Sequence, residues 1–182
     1  MFKEKGVTLF ETLVVIGIVI IFSVIAVFDF SEARGQMALK RAAHQLIQDL
    51  RRAEEMAMSS VQSEKCFLPA KGYGIYVRIE EDTKSYKLYA DTAGDEQFPS
   101  EWEYYTPADC LVETINIQEK GVIIKEANVP NQKVSINFKP PNPDIKIKWL
   151  QGNEIEIVLA LESDLSKTKT VIASKAGVFQ IR

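Results

Sequence analysis

Residues 7–28 form an apolar run carrying one charge, Glu11, and positions 13–28 read LVVIGIVIIFSVIAVF with only Gly17 and Ser23 as breaks. Coiled as a helix the run is about 33 Å long, enough to cross a bilayer whose hydrocarbon core is about 30 Å thick. Its richness in β-branched residues does not argue for a strand, because a segment in lipid must satisfy its own backbone hydrogen bonds. Lys3 and Lys5 lie before the run, and Asp29 and Glu32 after it. Basic residues carry the orientation signal, so the expected topology puts the N-terminus in the cytoplasm. The expectation is a single-pass membrane segment with the rest of the chain outside the cytoplasm.

Three origins fit such a run. A secretory signal peptide would be cut after Ala26 in Val24-Ile25-Ala26, but its apolar region would open on a carboxylate and lack a clear basic stretch before it. A generic anchor accounts for the hydrophobicity and leaves Glu11 unexplained, since an ionised acid at membrane depth costs about 2.5–3.5 kcal/mol on insertion scales. The third origin uses every oddity at once. Lys5-Gly6-Val7-Thr8-Leu9-Phe10-Glu11, running straight into the apolar stretch, resembles the leader of type IV prepilins and pseudopilins.

That resemblance implies cleavage between Gly6 and Val7 by a prepilin peptidase, followed by N-methylation of Val7 by the same enzyme. It also implies that Glu11, the fifth residue of the mature chain, pairs with the N-terminal amine of a neighbouring subunit during fibre assembly. The physical chemistry agrees with these roles. Glycine lies extended in a protease cleft without a side chain to clash. A buried carboxylate–amine pair recovers its desolvation cost only where both partners meet, which makes it a register device. Val7 departs from the pattern, where phenylalanine is usual.

Beyond the run, Leu39, Ala42, Ala43, Leu46, Leu50, Ala53, Ala57 and Val61 recur at spacings of three or four, and the first proline is Pro69. This periodicity predicts one long helix over 7–60, bent near Gly35, whose second half lays an apolar stripe on a sheet. After Cys66 the pattern turns to period two, with strands expected at 72–79, 85–91, 112–118, 122–126, 133–139, 145–150, 154–161, 168–174 and 177–182. One early helix and many late strands predict an α+β fold: a long N-terminal helix, membrane-spanning in its first half, packed on a mostly antiparallel β-sheet domain. The domain division follows: leader 1–6, transmembrane or fibre-core helix 7–28, amphipathic continuation 29–65, and globular β-rich domain 66–182. The order VSINFKP, EIEIVLAL, TVIAS-KAG-VFQIR near the C-terminus is similar to the H-type pseudopilins of type II secretion and to related type IV minor pilins.

Conventional active-site chemistry is scarce. Lys+Arg 22 against Asp+Glu 25 leaves a net charge of −3 and no global field for nucleic acid, and one histidine with two cysteines leaves little for a zinc site, which needs three or four good ligands. No phosphate loop, dinucleotide fingerprint or hydrolase motif is present, so neither an enzyme nor a cofactor is expected. Cys66 and Cys110 would pair if exported, the alternative being two buried thiols. His44, beside Lys40 and Arg41, reads as a solvated helix position, and Glu80-Glu81-Asp82 as a hairpin tip. The Asp91–Asp95–Glu96 cluster around Gly94 lacks calcium-loop spacing.

DNA is a weaker alternative. Lys167, Lys169, Lys175 and Arg182 would give scattered phosphate contacts, while Trp102, Tyr104 and Tyr105 sit beside Glu101 and Glu103. The function that the resemblance implies is a minor pilin or pseudopilin, a structural subunit of a type IV pilus or a type II secretion pseudopilus. Its implied partners are other subunits through the N-terminal helix, the prepilin peptidase, an inner-membrane assembly platform, and the lipid bilayer before assembly. Its implied location is the inner membrane and then an extracellular or periplasmic fibre. The alternatives are a DNA-binding minor pilin of a competence system and a membrane-anchored extracytoplasmic binding or enzymatic domain.

Overall fold

The computed structural model describes residues 8–59, 62–94, 109–141, 144–148, 150 and 152–182, with side chains for all of these except 25–31, 131 and 144. Among the described residues one α-helix, α1 (Leu9–Met58), precedes nine strands: β1 (Gly72–Arg78), β2 (Ser85–Asp91), β3 (Asp109–Asn116), β4 (Val122–Ala127), β5 (Lys133–Lys139), β6 (Asp144–Lys148), β7 (Glu154–Leu161), β8 (Asp164–Ser174) and β9 (Phe179–Ile181). The chain divides into two compact units, Met1–Met37 and Ala38–Arg182.

Within the second unit, α1 contributes a stripe at helical spacing. Leu39, Ala42, Ala43, Leu46, Leu50, Ala53 and Ala57 are all buried. Leucines and alanines share the stripe, one face of the helix, and their side chains join the core. The strands form two antiparallel sheets, ordered β3-β2-β1-β5-β6 and β4-β7-β8-β9. Alternate residues of both sheets, among them Tyr73, Ile75, Val134, Ile136 and Phe138 in the first and Ile124, Ile155, Ile157 and Val171 in the second, join the helix stripe in one core. Each such side chain contributes about 1.5–3 kcal/mol when fully buried.

The predicted strand positions recur closely, but the predicted fold class is corrected. Instead of one sheet carrying a helix there are two sheets, and the chain is mostly β. The cause is pairing that sequence order does not reveal. After β3 the chain turns at Gly121, whose φ is +78°, and β4 leaves the first sheet to pair with β7. The chain then returns, so that β5 lies antiparallel to β1.

The predicted membrane-spanning half is corrected as well: among the described residues, no helix is long and apolar enough to cross a membrane. The apolar stretch carries Glu11 within it, and Asp29 and Glu32 follow it in the sequence. The expected location, a single-pass inner-membrane protein with an extracytoplasmic domain, is overturned by the same finding.

Candidate functional site

The start of α1 is built by Thr8, whose Oγ1 accepts a hydrogen bond from the Glu11 backbone N–H at 3.3 Å. Thr-Leu-Phe-Glu thus forms the first half of a capping box, and Glu11 lies in the first turn, where the helix dipole favours a carboxylate. That local role coexists with any intermolecular one. Two hydroxyls beyond it turn back onto the helix: Thr12 Oγ1 donates to the Leu9 carbonyl at 2.8 Å and Ser23 Oγ to the Val19 carbonyl at 2.7 Å.

What remains on the helix surface between Leu13 and Val24 is hydrocarbon. Leu9, Phe10, Ile16, Ile21 and Phe22 are 83%, 75%, 59%, 62% and 68% exposed. Their positions point to every side of the helix rather than to one stripe. A helix apolar all round requires apolar surroundings. Gly6 and Val7, the expected cleavage and methylation positions, lie outside the described residues.

In the second unit, Cys66 and Cys110 form a disulfide that ties the segment after α1 to the edge strand β3. Next to it, Lys65 Nζ donates to the Val112 carbonyl at 2.7 Å. Farther along the same edge, Gln45 Nε2 donates to the Asn116 carbonyl at 3.0 Å while its Oε1 accepts the Gln118 N–H at 3.1 Å. An open polar cleft of about 460 Å³ lies here between α1 and β3, lined by Arg41, His44, Gln45, Asp49, Arg52, Glu113 and Glu119 among others. Arg41 and Glu119 pair at 2.7 Å, and Arg52 and Glu113 at 3.0 Å, so its charges are largely matched within the chain. His44 is solvent-exposed in this cleft.

Two polar groupings escaped the sequence reading. Tyr86 donates from its hydroxyl to Asp49 Oδ2 at 2.6 Å. Burial pushes the Tyr86 hydroxyl far above the ordinary tyrosine range, with Asp49 adding to it, and burial likewise raises the Asp49 carboxyl. On the opposite face of the first sheet, the Tyr89 hydroxyl and Ser135 Oγ share a hydrogen bond of 2.6 Å. Asn137 Nδ2 donates to the Tyr89 hydroxyl at 3.2 Å and to Asp91 Oδ2 at 3.3 Å. Ser135, Asn137 and Asp91 are fully buried. Polar residues alternating with apolar ones in β5 read as a solvent face, so no sequence signal distinguished them.

The Asp91 carboxylate is committed to Asn137 and to the Gly94 N–H, while Asp95 and Glu96 fall outside the described residues. Among the described residues no three metal-ligating side chains gather. At the hairpin tip Asp82 accepts from the Lys84 N–H at 2.7 Å and the Ser85 hydroxyl at 2.6 Å, and these bonds hold its carboxyl below the usual range. Of the basic residues weighed for DNA, Arg182 lies 3.6 Å from Glu156, and Lys167 also has a partner. Trp102, Tyr104 and Tyr105 lie outside the described residues. Compared with models of known families, with characterised proteins and with solved structures, the chain gives no match.

Proposed function

We propose that this chain is a structural subunit of a fibre of the type IV pilin or pseudopilin kind, processed by a prepilin peptidase between Gly6 and Val7 and assembled through the N-terminal part of α1. The observation that carries the reading is the run of exposed hydrocarbon around α1 with a single carboxylate, Glu11, in its first turn. Such a surface is costly in water and becomes favourable when covered by equivalent helices of neighbouring subunits, at roughly 25 cal/mol per Å² of apolar area removed from water. The upstream Lys5-Gly6-Val7-Thr8 sequence supplies the leader junction that the reading needs. Glu11 then meets the amine created at Val7 of a neighbour, and the pair sets the stagger between subunits.

The test is a mass spectrum of the N-terminal peptide from the native host, together with fibre incorporation of Glu11→Ala and Glu11→Gln. The expected result is a chain beginning at methylated Val7, with wild type incorporated and both variants left out of fibres. A chain that keeps Met1, or variants that assemble as well as wild type, would sink the reading.

A further inference from the structure

The edges of the two sheets are closed unequally. On β3 the outward carbonyls of Val112 and Asn116 are occupied by Lys65 and Gln45. On β4 the Ile124 N–H donates to the Thr83 carbonyl at 2.7 Å and the Ala127 N–H to Gln132 Oε1 at 2.9 Å. An edge strand with unpaired N–H and C=O groups is a template for another strand, and these contacts block it.

Among the described residues no such contact covers the β9 edge, nor the β6 edge of the first sheet. Thr170 and Arg182 exchange backbone hydrogen bonds of 3.1 and 2.9 Å, and Ser174 N–H donates to the Val178 carbonyl at 3.0 Å. Residues 178, 180 and 182 therefore face β8, so Phe179 and Ile181 direct their backbone groups away from the sheet. Among the described residues no hydrogen bond occupies those groups. The side chains of Phe179 and Ile181 lie half-buried on the core face, Phe179 edge-on to Phe138 at 6.3 Å, and neighbouring Val178 is 47% exposed.

We propose that the β9 edge is a docking surface for the same edge of a second copy of this chain, the two strands pairing antiparallel about a two-fold axis at Gln180. The geometry is self-complementary. Phe179 of one copy and Ile181 of the other exchange N–H and C=O bonds, and the reciprocal pair repeats them, closing four hydrogen bonds across the axis. The same pairing sets an aromatic ring beside a β-branched side chain on the core face twice over, and it covers the exposed part of each. The basic residues do not oppose each other, since Arg182 stands across from Val178 of the second copy. A two-fold contact closes on itself, so it belongs to the subunit outside any fibre and does not depend on the fibre reading.

The axis gives a direct test. In this register the two Gln180 Cα atoms lie about 4.5 Å apart, within the span of about 4.4–6.8 Å that a disulfide bridges. Full-length Gln180→Cys is oxidised mildly alongside Lys175→Cys, an exposed control in the β8–β9 turn, and the intact Cys66–Cys110 bond is checked in both as a marker of folding. The expected result is a covalent dimer of Gln180→Cys that forms at least tenfold faster than that of Lys175→Cys, and that is lost when Ile181→Pro removes the outward N–H. Equal rates for the two variants, no dimer from a folded chain, or a cross-link to a different protein would overturn the proposal. Sedimentation of the wild-type chain against Ile181→Pro provides a second reading: a dimer only in the wild type supports it, and identical profiles refute it.

Discussion

Removing the Cys66–Cys110 bond is the perturbation whose size follows most directly from the chain. The two residues are 44 apart in sequence, and the stretch between them contains β1 and β2. In the loop-entropy treatment, opening a closed loop of this length returns about 4 kcal/mol of conformational freedom to the unfolded state. Cys66 is buried in the common core and Cys110 packs against it, so serine at both positions also places two hydroxyls in apolar surroundings. Alanine is therefore the cleaner replacement. Cys66→Ala/Cys110→Ala should lose about 4 kcal/mol, and with a urea m-value of about 2 kcal/mol/M the midpoint should fall by about 2 M. The assay is equilibrium urea unfolding followed by circular dichroism, in a mild detergent that covers the exposed end of α1. Reducing the wild type should reproduce the shift. A loss below about 1 kcal/mol would refute the entropic reasoning, because it would mean that the unfolded chain already holds these segments together.

Three further outcomes test the packing and the charges. Leu50 is fully buried on the helix stripe, so Leu50→Ala should cost about 2–5 kcal/mol in the same unfolding assay. A Cβ on Gly74 would fall 2.6 Å from both the Ile136 carbonyl oxygen and Tyr89 Cε1. Gly74→Ala should therefore cost about 1–3 kcal/mol, and thermal unfolding indistinguishable from wild type would show that the ring and strand yield freely. Burial raises the Asp49 carboxyl above its ordinary value of 3.8. The folded state thus holds the proton more readily than the unfolded one, and this group's contribution falls as pH rises from the unfolded value through the folded one. Asp49→Asn keeps an acceptor for Tyr86, so its urea midpoint relative to wild type should rise between about pH 3 and about pH 7. A constant difference across that range would count against the assignment.

Local pattern was sufficient for much of this chain, and the reason is physical. The stripe from Leu39 to Ala57 and the alternation in segments such as EIEIVLAL are periodicities that each element imposes on its own residues, and both reappear as buried faces in one core. The Cys66–Cys110 pairing was legible too, because the chain has only two cysteines. The surface proposed for assembly was visible as composition alone, since a long apolar run needs no partner element to be recognised.

Pairing between distant strands was decided elsewhere. Whether β4 continues one sheet or begins another depends on which backbone edge lies open after the Gly121 turn, and β7, more than thirty residues later in the chain, provides that edge. The burial of Ser135, Asn137 and Asp91 was equally hidden, because a polar residue alternating with apolar ones looks the same whether its face meets water or protein. The open edge at β9 follows from hydrogen-bond parity set by Thr170 and Arg182. Sequence thus determined what each segment presents on its two faces, while tertiary structure alone determined which face, and which edge, each segment was given to meet.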